Sequence, residues 1–243
     1  MTKPRVAVLV FPGTNSEEET VDACCDAGMD ARAVLWSEPP TDLRDYQAYV
    51  LPGGFAYEDR VRAGAIAAKS SSVAVVMQEA ERGKLVLGLC NGAQVLAEVG
   101  LIGPIAIARN LPSGHFQCRI LDVELAAPME RCAFTASMKT GTTMKMAIAH
   151  GEGRFTGSPT YFDQLEKDKR ITFRFVGGAP NGAMHDAAGI CNDAGNVLAI
   201  MPHPERVAWN FNLAFEDPSL RGRDPKAPSP SHSIFVHMAT ALR

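Results

Sequence analysis

Short runs of apolar residues, with helical patterns between them, are the feature that most constrains the fold of this chain. The segments RVAVLVF (5–11), YQAYVLP (46–52) and LVLGL (85–89) are continuously apolar or nearly so. Continuous apolar strands of this length are typical of a sheet that is buried on both faces. Because helical patterns separate them, the order predicts βαβ units and a mostly parallel sheet.

The middle of the chain has a different pattern. The segments CRILDVEL (118–125), TTMKMAIAH (142–150) and ITFRFVG (171–177) are strand-like, with no clear helix between them. Strands joined without a crossover helix pair antiparallel, so we expect an antiparallel extension of the sheet. The segment GNVLAIMPHPER (195–206) predicts one further strand, which ends in a corner flanked by prolines.

The domain organisation is predicted to be simple. A chain of 243 residues fits one α/β domain, and no linker composition precedes residue 216, so we expect a single domain over residues 1–243. Residues 216–231 are rich in proline, serine and charge, which predicts a surface loop, and residues 232–243 predict a closing helix. Near the N-terminus, Ser16 and Glu19 fit a capping box for a helix whose Cys24 and Cys25 would face the core.

Composition excludes several classes of function. The net charge is −3 with both signs scattered, so nucleic acid is not an expected partner. The N-terminal apolar run is too short for a secretory signal, and no segment reaches the length of a membrane span. The six cysteines have no zinc-ligand spacing. We therefore expect a cytoplasmic protein without a metal site or a membrane partner.

Cys90 stands at the corner where the predicted strand 85–89 turns into a helix that starts at Asn91. Cysteine is a common core residue, so it can simply fill space there. A cysteine at a sharp strand-to-helix turn is also the arrangement of an activated nucleophile. This segment alone leaves both interpretations open, and a base and an orienting group must come from elsewhere in the chain.

The motif MPHPE supplies both groups. His203 and Glu205 lie just past the last predicted strand, at the edge where a parallel sheet would also present Cys90. Pro204 biases His203 toward an extended conformation, in which residues i and i+2 point the same way. A base and its orienting carboxylate need that arrangement. The alternative is a rigid corner with a solvated histidine and glutamate, but the two strand-end signals together favour a Cys90–His203–Glu205 triad.

A nucleophile that attacks an amide needs N–H donors for the oxyanion. The backbone N–H of Asn91, directly after the nucleophile, is one candidate. The other lies in LPGG, where Gly53 and Gly54 can bring a backbone N–H close to a substrate without a Cβ in the way. Pro-Gly-Gly is also a common turn, and the sequence leaves open whether such a hole is formed in advance.

Several longer motifs together resemble a known family. LPGG, GLCNGAQVL and MPHPER resemble the class I (triad) glutamine amidotransferases, and FPGTN, GGFAYEDRVRAGAIA and AHGEGRF narrow the resemblance to glutaminase subunits of phosphoribosylformylglycinamidine synthase. The resemblance implies a flavodoxin-like α/β domain with helices on both faces of the sheet. It implies triad roles for Cys90, His203 and Glu205, oxyanion roles for Gly54 and Asn91, and substrate contacts from Gln94, His150, Gly151 and Glu152.

The reaction that this resemblance implies is hydrolysis of L-glutamine through a glutamyl thioester on Cys90. The ammonia would pass to a larger ATP-using synthetase subunit, helped by a small third subunit, that makes formylglycinamidine ribonucleotide from formylglycinamide ribonucleotide in de novo purine biosynthesis. No GxxxxGK[ST] loop is present, so no cofactor is expected on this chain, and ATP and Mg²⁺ are expected on the partner. The alternatives are a glutaminase for a GMP- or CTP-type synthetase, a non-glutaminase cysteine hydrolase on a related fold, and a catalytically dead interaction subunit.

Several positions depart from the pattern that the resemblance implies, namely Ala56, Glu58, Arg60 and Val61 in GGFAYEDRVRAG, and Ser16. Glu58 brings a charge close to the proposed oxyanion strand where glycine is commoner. Ser16 stands where a cysteine is frequent, which argues against a catalytic role for that position.

Overall fold

The computed structural model describes residues 2–220 and 222–243. Within these ranges the chain forms eleven strands and six α-helices. The strands are β1 (Arg5–Val10), β2 (Asp30–Leu35), β3 (Ala48–Leu51), β4 (Leu85–Leu89), β5 (Ile105–Arg109), β6 (Gln117–Leu125), β7 (Thr143–His150), β8 (Glu152–Gly157), β9 (Ile171–Phe175), β10 (Ala187–Cys191) and β11 (Val197–Ile200). The helices are α1 (Glu17–Asp26), α2 (Ser71–Glu81), α3 (Asn91–Glu98), α4 (Pro159–Lys167), α5 (Asn210–Leu213) and α6 (Ser233–Ala241).

Nine strands form one sheet in the order β2-β1-β3-β4-β11-β10-β9-β6-β7. The first five of these are mutually parallel, and the last four pair antiparallel. This confirms the predicted parallel sheet and its antiparallel extension. The carboxyl ends of β1, β3, β4 and β11 meet at one edge, which is where open α/β sheets bind their ligands.

Four of the five parallel strands, β1, β3, β4 and β11, are buried on both faces, as their continuous apolar sequences predict, whereas the edge strand β2 buries only two of its six residues. Along β1, Val6 and Val8 pack with α1 and α6, while Ala7 and Leu9 pack with the side of the sheet that α2, α3 and α4 cover. All four of these side chains are fully buried. Full burial of a valine or leucine side chain contributes roughly 1.5–3 kcal/mol, so this alternation fixes the register of β1.

Two predictions about helices were wrong. A helix does lie between the strand-like segments of the middle region: α4 separates β8 from β9. Only Phe162 and Leu165 of α4 are buried, so few apolar residues mark this helix in the sequence. Ser16 does precede α1, but its side chain caps no N–H of that helix. Cys24 is buried as expected, whereas Cys25 is exposed.

The turn from β4 into α3 depends on close backbone contact. A Cβ at Gly92 would lie 1.9 Å from the carbonyl oxygen of Leu51, and a Cβ at Gly88 would lie 2.8 Å from the carbonyl of Gly92. Only glycine allows such an approach. The first turn of α3 therefore rests directly on the end of β3, so Cys90 and the Pro52–Gly54 loop lie side by side.

The segment 216–231 is not a surface loop throughout. Most of its described residues are exposed, but Ser229 and Ser231 are buried. The Ser229 hydroxyl donates to the carbonyl of Val207, and the Ser229 N–H donates to the carbonyl of Ala208 at 2.8 Å. Residues 227–231, the second arm of this loop, are thereby tied to the chain that follows Glu205.

Among the described residues, no helix has the length and apolar character needed to cross a membrane.

We expect Gly92→Ala to destabilise the protein. The new methyl group must displace the Leu51 carbonyl, and overpacking of this kind costs about 3 kcal/mol at the upper end of its usual range, or roughly 6–12 °C in Tm for a chain of this size. Gly151→Ala is the matched control, because the nearest neighbour of its new Cβ would be 3.9 Å away. Thermal unfolding measures both, and equal Tm values for the two variants would contradict this account of the turn.

Ser229→Ala should lower Tm more than removal of the exposed part of the loop. The variant leaves the Val207 carbonyl without its donor, which costs about 1–2 kcal/mol, or roughly 2–8 °C. Replacing residues 217–223 by a short glycine-serine linker removes none of the bonds between Ser229 and residues 207–208. A deletion that lowers Tm further than Ser229→Ala would show that the loop tip, and not its second arm, carries the stability.

Candidate active site

Cys90 lies on a strained backbone at the carboxyl end of β4. Its φ and ψ are 48° and −103°, in the left-handed half of φ/ψ space that non-glycine residues rarely adopt. Its N–H donates to the carbonyl of Ile200 at 2.8 Å, and its Sγ lies 3.7 Å from the carbonyl oxygen of Ala149. The thiol therefore sits at the N-terminus of α3, where unpaired N–H groups favour negative charge.

His203 and Glu205 are fully enclosed and bonded to each other. The His203 Nδ1 lies 2.5 Å from the Glu205 Oε1, and the His203 N–H donates to the carbonyl of Ala147 on β7 at 2.7 Å. His203 forms an antiparallel bridge with Ala147, as the extended conformation predicted for it allows. The predicted extended segment does not continue to Glu205, because Pro204 has helical angles (φ −65°, ψ −31°) and Glu205 begins a 3-10 turn (Glu205–Val207). The tight turn, and not an extended segment, brings the two side chains together.

The charge on His203 follows from its neighbours. Burial alone would lower its pKa, but electrostatic and hydrogen-bond interactions with the Glu205 and Cys90 side chains outweigh this and raise the pKa of His203 to about 10. Among the described residues, the His203 Nε2 has no hydrogen-bond partner. With Nδ1 held by Glu205, Nε2 is the ring nitrogen that remains available to Cys90 and to a substrate.

The Pro52–Gly54 loop lies against the His203 ring. A Cβ at Gly53 would be 2.4 Å from the His203 Cε1. Gly54 and His203 share a cavity of about 190 Å³, whose lining is completed by Asn15, Phe55, Phe116, Cys118, Ala149 and Arg206. Phe55 and Phe116 stack with ring centroids 6.2 Å apart, and both are about half exposed, so they form an aromatic rim on this cavity.

The side chain of Asn91 makes three hydrogen bonds around the start of α3. Its Oδ1 accepts from the Ala56 N–H at 3.1 Å, and its Nδ2 lies 3.1 Å from the Asp59 Oδ1 and 2.8 Å from the Gln94 Oε1. The Gln94 Nε2 in turn donates to the carbonyl of Glu152 at 2.6 Å. The structure therefore brings Asn91, Gln94 and Glu152 together into one polar wall.

His150 is buried at the end of β7. Its Nδ1 lies 3.2 Å from the Asn110 Oδ1, and burial, together with the charge of His203, lowers its pKa to about 4. Asn110 also donates to the His150 carbonyl at 2.8 Å and accepts from the Gly153 N–H at 3.1 Å. Asn110 thus holds the His150–Glu152 segment in place. No sequence motif predicts this role.

In the loop after β3, the acidic side chain that contacts the polar wall is Asp59 and not Glu58. Glu58 is exposed and pairs with Arg60 at 2.9 Å. Asp59 is half-buried, and burial together with the charge of Glu152 raises its pKa to about 6, against the effect of its hydrogen bond from Asn91. Two carboxylates that repel each other therefore adjoin the polar wall.

Within residues 2–220 and 222–243, no group of three or more His, Cys, Asp or Glu side chains is arranged to hold a metal ion.

The stabilisation from the His203–Glu205 pair should decline at high pH. The pKa of His203 is raised to about 10 in the folded chain, against about 6.5 when unfolded. Its contribution is therefore complete below about pH 6.5 and is lost as the pH rises through about 10.

We therefore expect Glu205→Gln to lower the free energy of unfolding by about 3–5 kcal/mol near neutral pH, as loss of a buried partner does, and by less above pH 10. Denaturant unfolding from pH 7 to 10.5 measures this difference. Glu58→Gln is the control, since it removes a carboxylate whose ion pair with Arg60 is exposed. If the loss of unfolding free energy in Glu205→Gln grows with pH instead, the assignment of a positive charge to His203 is wrong.

Comparison with known proteins shows the family to which this chain belongs. The model of the CobB/CobQ-like glutamine amidotransferase domain matches residues 3–240. The chain is 36% identical to the phosphoribosylformylglycinamidine synthase subunit PurQ of Methanothrix thermoacetophila, over 91% of this chain and 93% of that protein. It is 42% identical to the PurQ subunit of Thermus thermophilus, over 83% and 89% of the two chains.

Solved structures agree with these sequence matches. A chain in the structure of PurLQS from Thermotoga maritima aligns over 100% of both chains, with a TM-score of 0.81 and 32% identity. A putative GMP synthase component from Thermoplasma acidophilum covers 100% of this chain and 95% of its own, with a TM-score of 0.62 at 14% identity, which shows a shared fold only. This chain therefore belongs to the glutamine amidotransferase family and, within it, to the PurQ-type subunits of phosphoribosylformylglycinamidine synthase.

Proposed function

We propose that this chain hydrolyses L-glutamine to glutamate and ammonia and supplies the ammonia for synthesis of formylglycinamidine ribonucleotide. The observation that carries the proposal is the arrangement of Cys90, His203 and Glu205 at one edge of the sheet. A thiol at a helix N-terminus, an imidazole with one nitrogen free and a buried carboxylate on the other nitrogen are the parts that a cysteine nucleophile needs.

Each group has a role that its position permits. The Cys90 thiolate attacks the side-chain amide carbon, and the N–H groups of Gly54 and Asn91 donate hydrogen bonds to the developing oxyanion. The tetrahedral species collapses to a glutamyl thioester while His203 gives its proton to the departing ammonia. Water then attacks the thioester with His203 as base, and cleavage of the C–S bond releases glutamate and the Cys90 thiolate. A general base contributes about 100- to 10,000-fold and one oxyanion donor about 100- to 1,000-fold.

Glutamine recognition is assigned to the polar wall. The carbonyl of Glu152 already holds the Gln94 amide, and we assign His150 and Gly151, which directly precede Glu152, to the same binding region. The neighbouring carboxylates of Asp59 and Glu152 repel each other, so a bound ammonium group relieves a strain that the free site carries. The α-amino group of glutamine has that charge.

The acceptor of the ammonia is a separate synthetase. PurLQS from Thermotoga maritima is named as an assembly, and we infer that this chain likewise serves a larger ATP- and Mg²⁺-using synthetase, together with a small accessory protein. An apolar surface suited to such a partner lies beside the site, where Trp36 packs edge-on against Tyr57 at 6.1 Å and Val61 is 87% exposed. A cytoplasmic location follows from the proposal, since ATP and ribonucleotide precursors are held inside the cell.

The alternative partners and chemistries have less support. The GMP-synthase-like structure shares only the fold, and no observation favours a CTP-type synthetase. A cysteine hydrolase of other specificity does not account for the polar wall that Gln94 and Glu152 form.

Cys90→Ala should abolish synthesis of the amidine product from glutamine and leave synthesis from free ammonia intact, because Cys90 acts only to release ammonia. The assay uses the chain assembled with its cognate synthetase and supplied with each nitrogen source in turn. Cys25→Ala, which alters an exposed thiol away from the site, is the control and should retain both activities. Loss of both activities in a complex that still assembles would refute this division of labour.

A further inference from the structure

We propose that Ser16 is a positioning residue for the oxyanion hole: its hydroxyl and the Asn15 N–H hold the Pro52–Gly54 loop so that the Gly54 N–H faces Cys90 before any partner binds. The proposal rests on the proposed function, since an oxyanion hole matters only to an enzyme that makes a tetrahedral intermediate. It also answers what the sequence left open, namely whether a glycine pair in this loop is free to change orientation.

The side chain of Ser16 bonds to a distant loop and not to the helix that it precedes. A serine directly before a helix ordinarily caps that helix with its side chain, but the side chain of Ser16 makes no bond to α1. Its Oγ instead accepts from the Gly53 N–H at 2.8 Å, across 37 residues of sequence, and Ser16 is fully buried. Departures from a local rule of this kind are expected where a residue serves a site.

The Asn15 backbone fixes the next peptide group of the loop. The Asn15 N–H donates to the Gly53 carbonyl at 3.1 Å, and the Phe55 N–H donates to the Gly13 carbonyl at 2.8 Å. The Gly53 carbonyl and the Gly54 N–H belong to one peptide group. Rotating that group would take the acceptor from the Asn15 N–H, so these bonds remove the freedom that a glycine pair otherwise has.

The direction of the Gly54 N–H follows from the same bonds. They flank an antiparallel bridge between Thr14 and Gly54, and in such a pair the N–H and C=O groups of the two facing residues point away from each other. The Gly54 N–H therefore points away from the segment that follows β1. Since β3 lies between β1 and β4 in the sheet, that direction is the side of Cys90, which follows β4.

The same segment also contacts the base. The Arg206 Nη2 donates to the Asn15 Oδ1 at 2.7 Å, and Arg206 directly follows Glu205. On the other side of the loop, Gly53 lies against the His203 ring, with room for no Cβ. Residues 15 and 16 thus set the position of the hole relative to the base.

Ser16→Ala should lower kcat for glutamine hydrolysis by about 10-fold with KM changed by less than about 2-fold. The expected loss is smaller than the roughly 100-fold or more of deleting a donor, because the Gly54 N–H remains but is held less firmly. Ser16→Gly should behave alike, since glycine is tolerated before a helix and removes the hydroxyl without adding a methyl group. Ser72→Ala, another buried serine at the start of a helix, is the control and should keep full activity.

Two further measurements separate a positioning role from general damage. Alkylation of Cys90 by iodoacetamide needs the thiol and His203 but no oxyanion hole, so its rate should be unchanged in both Ser16 variants. Binding of γ-glutamyl aldehyde, which forms a tetrahedral adduct on the thiol, should weaken by about 10-fold. The wild-type chain without its partner should bind this aldehyde as tightly as the assembled complex does.

The outcomes discriminate between the two proposals. Unchanged kcat in the folded Ser16 variants, or equal losses of hydrolysis and of alkylation, would overturn the positioning role and leave the glutaminase intact. If Ser16→Ala does not fold, the same measurements on Ser16→Gly decide the question. Aldehyde binding that requires the partner would overturn the preformed hole. A wild-type complex that hydrolyses no glutamine would instead refute the proposed function itself.

Discussion

The site depends on a hydrogen bond that is wholly buried, between the Nδ1 of His203 and the Oε1 of Glu205. A carboxylate in such a place is stable only while it is paired, because the protein interior solvates an isolated charge poorly. The surrounding chain is arranged around this pair: the His203 N–H is bonded to β7, Gly53 packs on the ring, and the second arm of the 216–231 loop is bonded to the residues that follow Glu205.

The two halves of the sheet contribute different parts of the site. The parallel half brings the ends of β1, β3, β4 and β11 to one edge, because parallel strands all end on the same side of a sheet. The antiparallel half supplies a wall: β7 offers the Ala147 carbonyl to the His203 N–H and the Ala149 carbonyl to the Cys90 thiol, and it ends at His150. The extension is therefore part of the active centre and not an appendage to it.

Backbone strain is concentrated beside this centre. Tyr57, Glu58, Asp59 and Val61 all have φ between 52° and 72°, a conformation that costs an ordinary residue roughly 1–2 kcal/mol. The Asn91 side chain bonds both the Ala56 N–H and the Asp59 carboxylate, so the first residue of α3 holds this loop in its strained form. Strain of this kind persists only where the surrounding structure over-determines it, and here the strained loop adjoins the polar wall through the hydrogen bond between Asp59 and Asn91.

The sequence by itself determined the parallel half of the sheet, because strands buried on both faces must be continuously apolar, and it singled out Cys90, His203 and Glu205, because each stands where an apolar run ends. The helix α4 escaped prediction, since only two of its side chains reach the core. Only the tertiary structure decided how these residues meet. It showed a turn at Pro204 in place of an extended segment, Asn110 behind His150, and the Ser16 hydroxyl on Gly53 in place of a helix cap. The physical reason differs between these features. The turn at Pro204 is local, but the φ that proline fixes is compatible with both a helical and an extended conformation. The Asn110 and Ser16 bonds join residues 40 and 37 positions apart, and a contact between distant loops leaves no periodicity or spacing in the chain from which it can be predicted.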